Sequence, residues 1–363
     1  MSLDRHHLHH AVGALLSAAL LLSAAALPGA MAEEETEEES EFSYVPGAPN
    51  GPDRWGEINA SWATCSDGQM QSPIDLSRDN ATLVRSLGYL NYTYRPTNAS
   101  VVNRGHDIML NFTGDAGSLV INGTAYYLKQ LHWHTPSEHR VGGRRYDMEL
   151  HLVHVHEAAA GEELEQPAVA VVSVLYEKSL ISVLLPDPFL KTLEPAIRRV
   201  RDIRGREEPV GVVDPDGATA TGSVYYRYMG SLTTPPCTER VVWTVFQNPR
   251  RVAGYQLELL KEAVVDGYEK NARPLQDVND RDISIFRPIK RSVYVCGVNI
   301  TSDAYWTDQR TYGYRIATTA YYYGSRPLIY EVYILYEVKF SLFPCLWLCE
   351  YILNKTWDHL CPH

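Results

Sequence analysis

The chain has 363 residues, with 33 Lys and Arg against 44 Asp and Glu and a formal net charge of −11. That balance argues against a nucleic-acid partner, which selects a basic face. With 45% hydrophobic residues, 21% charged, 24 Gly and 21 Pro, the composition excludes a collagen-like repeat and a disordered polyampholyte, and the length can bury a large core in one domain or two.

Arg5 and the histidines at 6, 7, 9 and 10 precede an Ala/Leu run from Ala11 to Ala26, a Pro28-Gly29 break and small residues up to Ala32. The apolar run is shorter than the ~20 residues of a spanning helix, so residues 1–32 read as a cleaved secretory signal. The expected destination is the secretory pathway, outside the cell or in a lumen. Residues 33–41, EEETEEESE, hold seven glutamates and read as a disordered, solvated spacer, with calcium or mineral binding as the other reading.

From 42 to about 287 the pattern is strand-rich. Period-two or apolar runs occur at Asp107–Phe112, Tyr126–His134, Asp147–His156, Ala168–Tyr176 and Arg240–Phe246. Asn122-Gly123, between Leu119-Val120-Ile121 and Ala125-Tyr126-Tyr127, reads either as a hairpin turn or as part of a glycosylation sequon. Residues Thr135 to Arg145, with Pro136, Gly142 and Gly143, read as a loop. Apolar spacings of three and four predict helices over Phe189–Ile203 and Ala253–Tyr268.

Residues 288–363 form a Tyr-rich extension of no assignable structure, carrying eleven of the 24 tyrosines between Tyr294 and Tyr351. Its apolar stretch from Phe340 to Leu353 is flanked or interrupted by Glu337, Lys339, Pro344 and Glu350, so neither a membrane span nor a lipid-anchor signal is expected. Eight sequons, at Asn59, Asn80, Asn91, Asn98, Asn111, Asn122, Asn299 and Asn354, suit the secretory route. Six cysteines without a Cys-x-x-Cys pair point to disulfides rather than a thiolate metal site. Cys65 and Cys237 lie in the strand-rich region, while Cys296, Cys345, Cys349 and Cys361 fall in the last quarter.

Seven of thirteen histidines lie between His106 and His156. On a strand, His132 and His134 share one face while Leu131 and Trp133 share the other. The alternating Glu149-Leu150-His151-Leu152-Val153 reads as a neighbouring strand, on which His151 can complete a three-nitrogen site. Three neutral imidazoles suit zinc and leave a fourth position for water, whereas a plain polar strand face is the other reading of a His-x-His pair. His154 and His156 face the opposite way and read as packing or surface residues. His132-x-His134 with Glu138 also resembles the first motif of cupin oxygenases, but the Pro-x-Gly and Asn expected around the last histidine are missing beside His151.

Gln71-Ser-Pro-Ile-Asp75, Gly105-His106, Gln130-Leu-His-Trp-His134, Ser137-Glu-His139, Glu149-Leu-His-Leu-Val-His154 and Gly230-Ser-Leu-Thr-Thr-Pro-Pro-Cys-Thr-Glu239 together resemble the α-class carbonic anhydrases. The resemblance extends from about Tyr44 to Ile283. It implies an α+β, predominantly β fold: one catalytic domain over residues 42–287, built on a large, twisted, mostly antiparallel sheet of ten strands with a few short peripheral helices.

It also implies a Zn2+ enzyme that reversibly hydrates carbon dioxide to bicarbonate and a proton, through a hydroxide on zinc. By resemblance, His132, His134 and His151 hold the metal, and Gln130, Glu149 and Asn271 hydrogen-bond those imidazoles. Thr233 orients the hydroxide and donates to Glu138. Val153, Val171, Leu232, Thr234, Val241 and Trp243 form the substrate pocket, for which core packing is the plainer role. His106 matches the proton shuttle, with Arg104, Asp107 and Met109 as unusual neighbours. Cys65 and Cys237 match a disulfide of secreted relatives. The contrasting reading is a catalytically silent binding or matrix protein on the same fold. Oligomeric state is not encoded in any of these features.

Overall fold

The computed structural model describes residues 42–157, 168–179, 186–220, 224–265 and 267–288, and the backbone of strands at 290–295, 298–303, 313–316 and 332–335. The expected signal and acidic spacer, and Cys296, Cys345, Cys349, Cys361 and Asn354, lie outside the described residues.

Two one-turn helices, α1 (Trp55–Ile58) and α2 (Thr64–Asp67), open the described chain. Six strands follow: β1 (Asp75–Leu76), β2 (Ala81–Leu83), β3 (Asn91–Tyr92), β4 (Thr97–Asn103), β5 (Ile108–Phe112) and β6 (Ser118–Ile121). Next come β7 (Thr124–His134), β8 (Arg140–Val141), β9 (Arg144–Arg145), β10 (Met148–Val155), β11 (Val169–Lys178) and helix α3 (Pro188–Val200). The domain closes with β12 (Glu207–Val213), β13 (Tyr225–Ser231), β14 (Glu239–Phe246), β15 (Arg250–Val252), α4 (Gly254–Ala263) and β16 (Ile283–Phe286).

One large sheet runs in the order β12-β4-β5-β7-β10-β11-β14-β13-β16-β2, with β15 beside β11, β6 beside β7 and β3 beside β6. The path has the expected ten strands and the side strands raise the sheet to thirteen. It is mixed: β11 runs parallel to β14 and β15, and β16 parallel to β2, while its other pairs are antiparallel. No helix among the described residues is long and apolar enough to cross a membrane.

Alternation sends the two faces of the central strands to different destinations. Leu131, Trp133, Leu150, Leu152, Val172 and Val174 join the larger core, with Phe189, Leu193 and Ile197 of α3 and Leu257 and Leu260 of α4. On the opposite face Val171, Leu175, Tyr228, Val241 and Trp243 form a second apolar cluster beside the buried histidines. Each such aliphatic side chain contributes about 1.5–3 kcal/mol on burial, and truncating Leu150 to Ala should cost about 2–5 kcal/mol because the packed sheet cannot collapse around the gap.

Asn122 and Gly123, at φ of 51° and 87°, make the two-residue turn joining Ile121 to Thr124, so the hairpin reading holds. The stretch read as a loop after His134 contains a small hairpin instead: β8 and β9 pair with each other, and β8 pairs with β1, because Gly142 and Gly143 supply its tight turn. Helix α3 is capped by the Asp187 carboxylate, which accepts from Leu190 N at 2.9 Å, and stops short of the predicted end before Asp202 at φ 56°. Helix α4 stops at Ala263, because Val264 is extended and Val265 N donates to Gly105 O at 2.9 Å. In the tail, 290–295 pairs with 298–303 and 313–316 with 332–335, each antiparallel.

Candidate metal centre

His132 and His134 lie two residues apart on β7, and the register of β10 sets His151 opposite His132 and Glu149 opposite His134. Strand parity therefore brings three imidazoles to one point, with ring centroids 4.6–5.1 Å apart. All three are essentially without solvent exposure. One nitrogen of each lies within 4.8 Å of the others.

The remaining nitrogens are committed to acceptors. His132 Nδ1 donates to Gln130 Oε1 at 2.9 Å, His134 Nδ1 to the Asn271 carbonyl at 2.8 Å, and His151 Nε2 to Glu149 Oε1 at 2.9 Å. An imidazole donating from one nitrogen in its neutral form presents a lone pair on the other. Lone pairs on His132 Nε2 and His151 Nδ1 thus face each other at 3.2 Å, and His134 Nε2 is buried with no hydrogen-bond partner. That arrangement repels itself unless a proton or cation sits among the nitrogens. Three convergent neutral imidazoles with acceptors behind them fit a zinc site.

Glu149 is the anchor. Its Oε1 accepts from His151, from His139 Nδ1 at 2.7 Å and from Ser173 Oγ at 2.6 Å, and its Oε2 accepts from the backbone of Glu138 and His139 at 2.8 Å each. Burial alone would favour its protonated form, but His139 and His151 hold it well below the usual carboxylate range. Burial pushes His151 down despite Glu149. His134 is displaced upward: burial opposes its charge, but Glu138 and the Asn271 carbonyl outweigh it.

The other expected site residues are arranged as follows. Asn271 serves His134 through its main-chain carbonyl, while its side chain holds Thr135 N, the His106 carbonyl and the Trp133 carbonyl. Val171, Leu232, Val241 and Trp243 are buried in one cluster, with Val153 packed against it. Trp243 lies 4.8 Å from the His151 ring. Thr234 is buried and its hydroxyl has no hydrogen-bond partner. The Cys65–Cys237 disulfide is formed.

Two expected arrangements differ in the structure. The Thr233-to-Glu138 hydrogen bond is not made: Glu138 Oε1 accepts from Arg273 N at 2.9 Å, and Oε2 has no hydrogen-bond partner and lies 3.6 Å from His134 Nε2. From that position the carboxylate contributes to the upward displacement of His134. Nor does His106 face water as a shuttle should. It is fully buried, edge-on to Phe42 at 5.5 Å and with Nε2 3.6 Å from Asp107 Oδ2, because the N-terminal aromatic cluster folds over it. Asp107 pairs with Arg104 through both carboxylate oxygens; burial disfavours its charge, but Arg104 and His106 hold its carboxyl far below the usual range.

Sequence reasoning missed Arg273, 1% exposed, whose backbone N–H holds Glu138. It also left His139 without a role, although the Ser137-Glu-His139 motif contained it. The available clue was an arginine in an irregular stretch, Asn271-Ala-Arg-Pro274, that shows neither strand nor helix period.

A family profile described as Eukaryotic-type carbonic anhydrase matches residues 50–287. Alpha carbonic anhydrase 7 of Arabidopsis thaliana is 45% identical over 255 residues, covering 70% of this chain and 88% of that one. Dioscorin DB3S of Dioscorea polystachya is 43% identical over 255 residues, covering 70% of this chain and 90% of that one. Among solved structures, a crystal structure of dioscorin complexed with ascorbate superposes with a TM-score of 0.64 at 43% identity, covering 69% of this chain and 100% of that one.

Proposed function

As the chain belongs to the eukaryotic-type carbonic anhydrase family, we propose that it is a zinc enzyme hydrating carbon dioxide reversibly to bicarbonate and a proton. The observation that carries this reading is the convergence of His132 Nε2, His134 Nε2 and His151 Nδ1, each ring fixed from behind by Gln130, Asn271 or Glu149. When bound there, zinc supplies a Lewis acid that lowers the pKa of water to about 7, a general property of carbonic anhydrases.

The chain's own residues supply position, surface and proton paths. Glu149 keeps His151 in one tautomer through a carboxylate held by five donors, so the ring cannot turn away from the site. Val153, Val171, Leu232, Val241 and Trp243 offer carbon dioxide an apolar wall that competes poorly for water. The unpartnered Thr234 hydroxyl is available to a bicarbonate oxygen. Thr233 orients the attacking water once its hydroxyl turns to Glu138 Oε2, the carboxylate oxygen with no partner. For His106 to export the proton, its ring must leave the Phe42 edge against which it packs and reach water.

The silent-relative reading has less support, because all three histidines, Glu138 and Thr233 are present. A secretory route with residues 1–32 removed, 33–41 as a spacer and 42–287 as the catalytic domain is supported by the formed disulfide. Asn59, Asn80, Asn91, Asn98 and Asn122 are exposed as glycan acceptors must be, whereas Asn111 is half-buried.

The test is stopped-flow hydration of carbon dioxide before and after zinc is stripped by a chelator and then restored. Activity that disappears and returns with zinc supports the proposal. A folded, zinc-loaded protein without hydration activity contradicts it.

A further inference from the structure

We propose that Arg273 is the positioning residue for Glu138, and that the Cys65–Cys237 disulfide acts on turnover through it. The inference rests on the hydration reaction proposed above and adds the part of the chain that governs Glu138.

The Arg273 guanidinium is buried and gripped by the N-terminal segment. Nη1 donates to Gln71 Oε1 at 2.8 Å and to the Ser72 carbonyl at 2.9 Å, and Nη2 donates to the Cys65 carbonyl at 2.9 Å. The group lies 5.4 Å from the Trp55 ring centroid. From the same residue the backbone N–H reaches Glu138 Oε1 at 2.9 Å. A shift of the guanidinium therefore moves the donor that aims the carboxylate.

The second half of the disulfide enters the same circuit. Gln71 Nε2 donates to the Cys237 carbonyl at 3.1 Å and to Glu239 Oε1 at 3.0 Å, and Met70 N donates to Glu239 Oε1 at 2.6 Å. Cys65 and Cys237, 172 residues apart in sequence, are thus joined by the sulfur bridge and again through Arg273 and Gln71. Gly68 leaves room for this junction, since a Cβ there would stand 2.4 Å from both Gln71 Nε2 and Glu239 Oε1.

The guanidinium donates to two main-chain carbonyls and the Gln71 amide oxygen, and none of these acceptors is a carboxylate. Burial depresses its pKa to about 10, which leaves it charged at neutral pH. Burying a charge on carbonyls alone is a costly way to hold two segments together. Its return is directional: two nitrogens of one rigid plane hold acceptors on separate segments, a span that a lysine's single ammonium nitrogen does not cover.

The experiment compares wild type, Arg273→Lys, the Cys65→Ser/Cys237→Ser pair and their combination. It reads kcat and KM for hydration, zinc per chain, and hydrogen exchange of the peptide spanning Arg273 with and without zinc. Arg273→Lys should lower kcat about ten- to a hundredfold with zinc content unchanged, and exchange at Arg273 should quicken even in the zinc-free protein. The serine pair should move both readouts in the same direction by less, and the combination should be no worse than Arg273→Lys alone. Wild-type turnover in Arg273→Lys, or losses that multiply in the combination, overturns the proposal. If Arg273→Lys does not fold, Gln71→Ala takes its place, with a severalfold loss of kcat expected and an unchanged kcat contradicting. If wild type itself does not hydrate carbon dioxide, the hydration reading fails. The exchange data then decide the link alone: unaltered exchange at Arg273 in the serine pair refutes it.

Discussion

The domain carries two kinds of buried histidine, one aimed at the metal site and one bonded into the protein around it. His132, His134 and His151 each spend one nitrogen on a protein acceptor and turn the other toward a shared point. His139 and His154 spend both: His139 bonds Glu149 and the Tyr228 hydroxyl at 2.7 and 2.6 Å, and His154 bonds the Ala170 carbonyl and the Tyr94 hydroxyl at 3.1 and 2.6 Å. All five are buried. Burial and residue type therefore do not separate a metal site from core packing, but the commitment of the last nitrogen does. His139, Glu149 and His151 also lie close enough together to hold an ion, yet their atoms are already spent on one another.

Breaking the first group should have the largest effect. His134→Ala removes one of three ligands, and sharing a zinc binding energy of ~12 kcal/mol among them gives a loss of about 4 kcal/mol, near a thousandfold in affinity. Competition against a chelator of known affinity measures it, and tight zinc retention would mean that the ligand set is misassigned.

On the opposite face His154 should respond to acid instead of metal. Burial pushes its pKa down to about 4 from an ordinary 6.5, so the native state binds its proton later than the unfolded chain does. Its neutral-form stability is complete above pH 6.5 and is lost as pH falls toward 4, about 3 kcal/mol in all, with no further loss below. Urea unfolding at pH 7 and pH 4 should show His154→Gln losing about that much less than wild type. Equal losses would mean that the ring is already charged in the fold.

The residue shared by both groups sharpens the contrast. Glu149→Gln leaves the ligands in place but weakens the hold on His151, and should reduce zinc affinity about ten- to a hundredfold. Because the same carboxylate serves His139, the variant should also unfold at lower temperature than Gln130→Ala, which touches the metal side only.

Much of this was legible in the sequence because strands have a period of two. That parity put His132 and His134 together, set His151 beside Glu149 and sent His154 to the other face, all without knowing the register. The sheet and the disulfide followed from the family resemblance rather than from periodicity. What could not be read depends on contacts between distant, irregular segments. Phe42 covers His106 from 64 residues away, and the stretch holding Arg273 has no period that announces its buried guanidinium. The orientation of Glu138 was missed for the same reason, since its donor is a backbone amide 135 residues further along.

The most direct test of the central claim is the zinc K-edge absorption spectrum of the purified, zinc-loaded protein. Three imidazole nitrogens at about 2.0–2.1 Å and one light-atom ligand are expected, with no sulfur near 2.3 Å. A shell with fewer imidazoles, a sulfur ligand or a protein that retains no zinc would contradict the account.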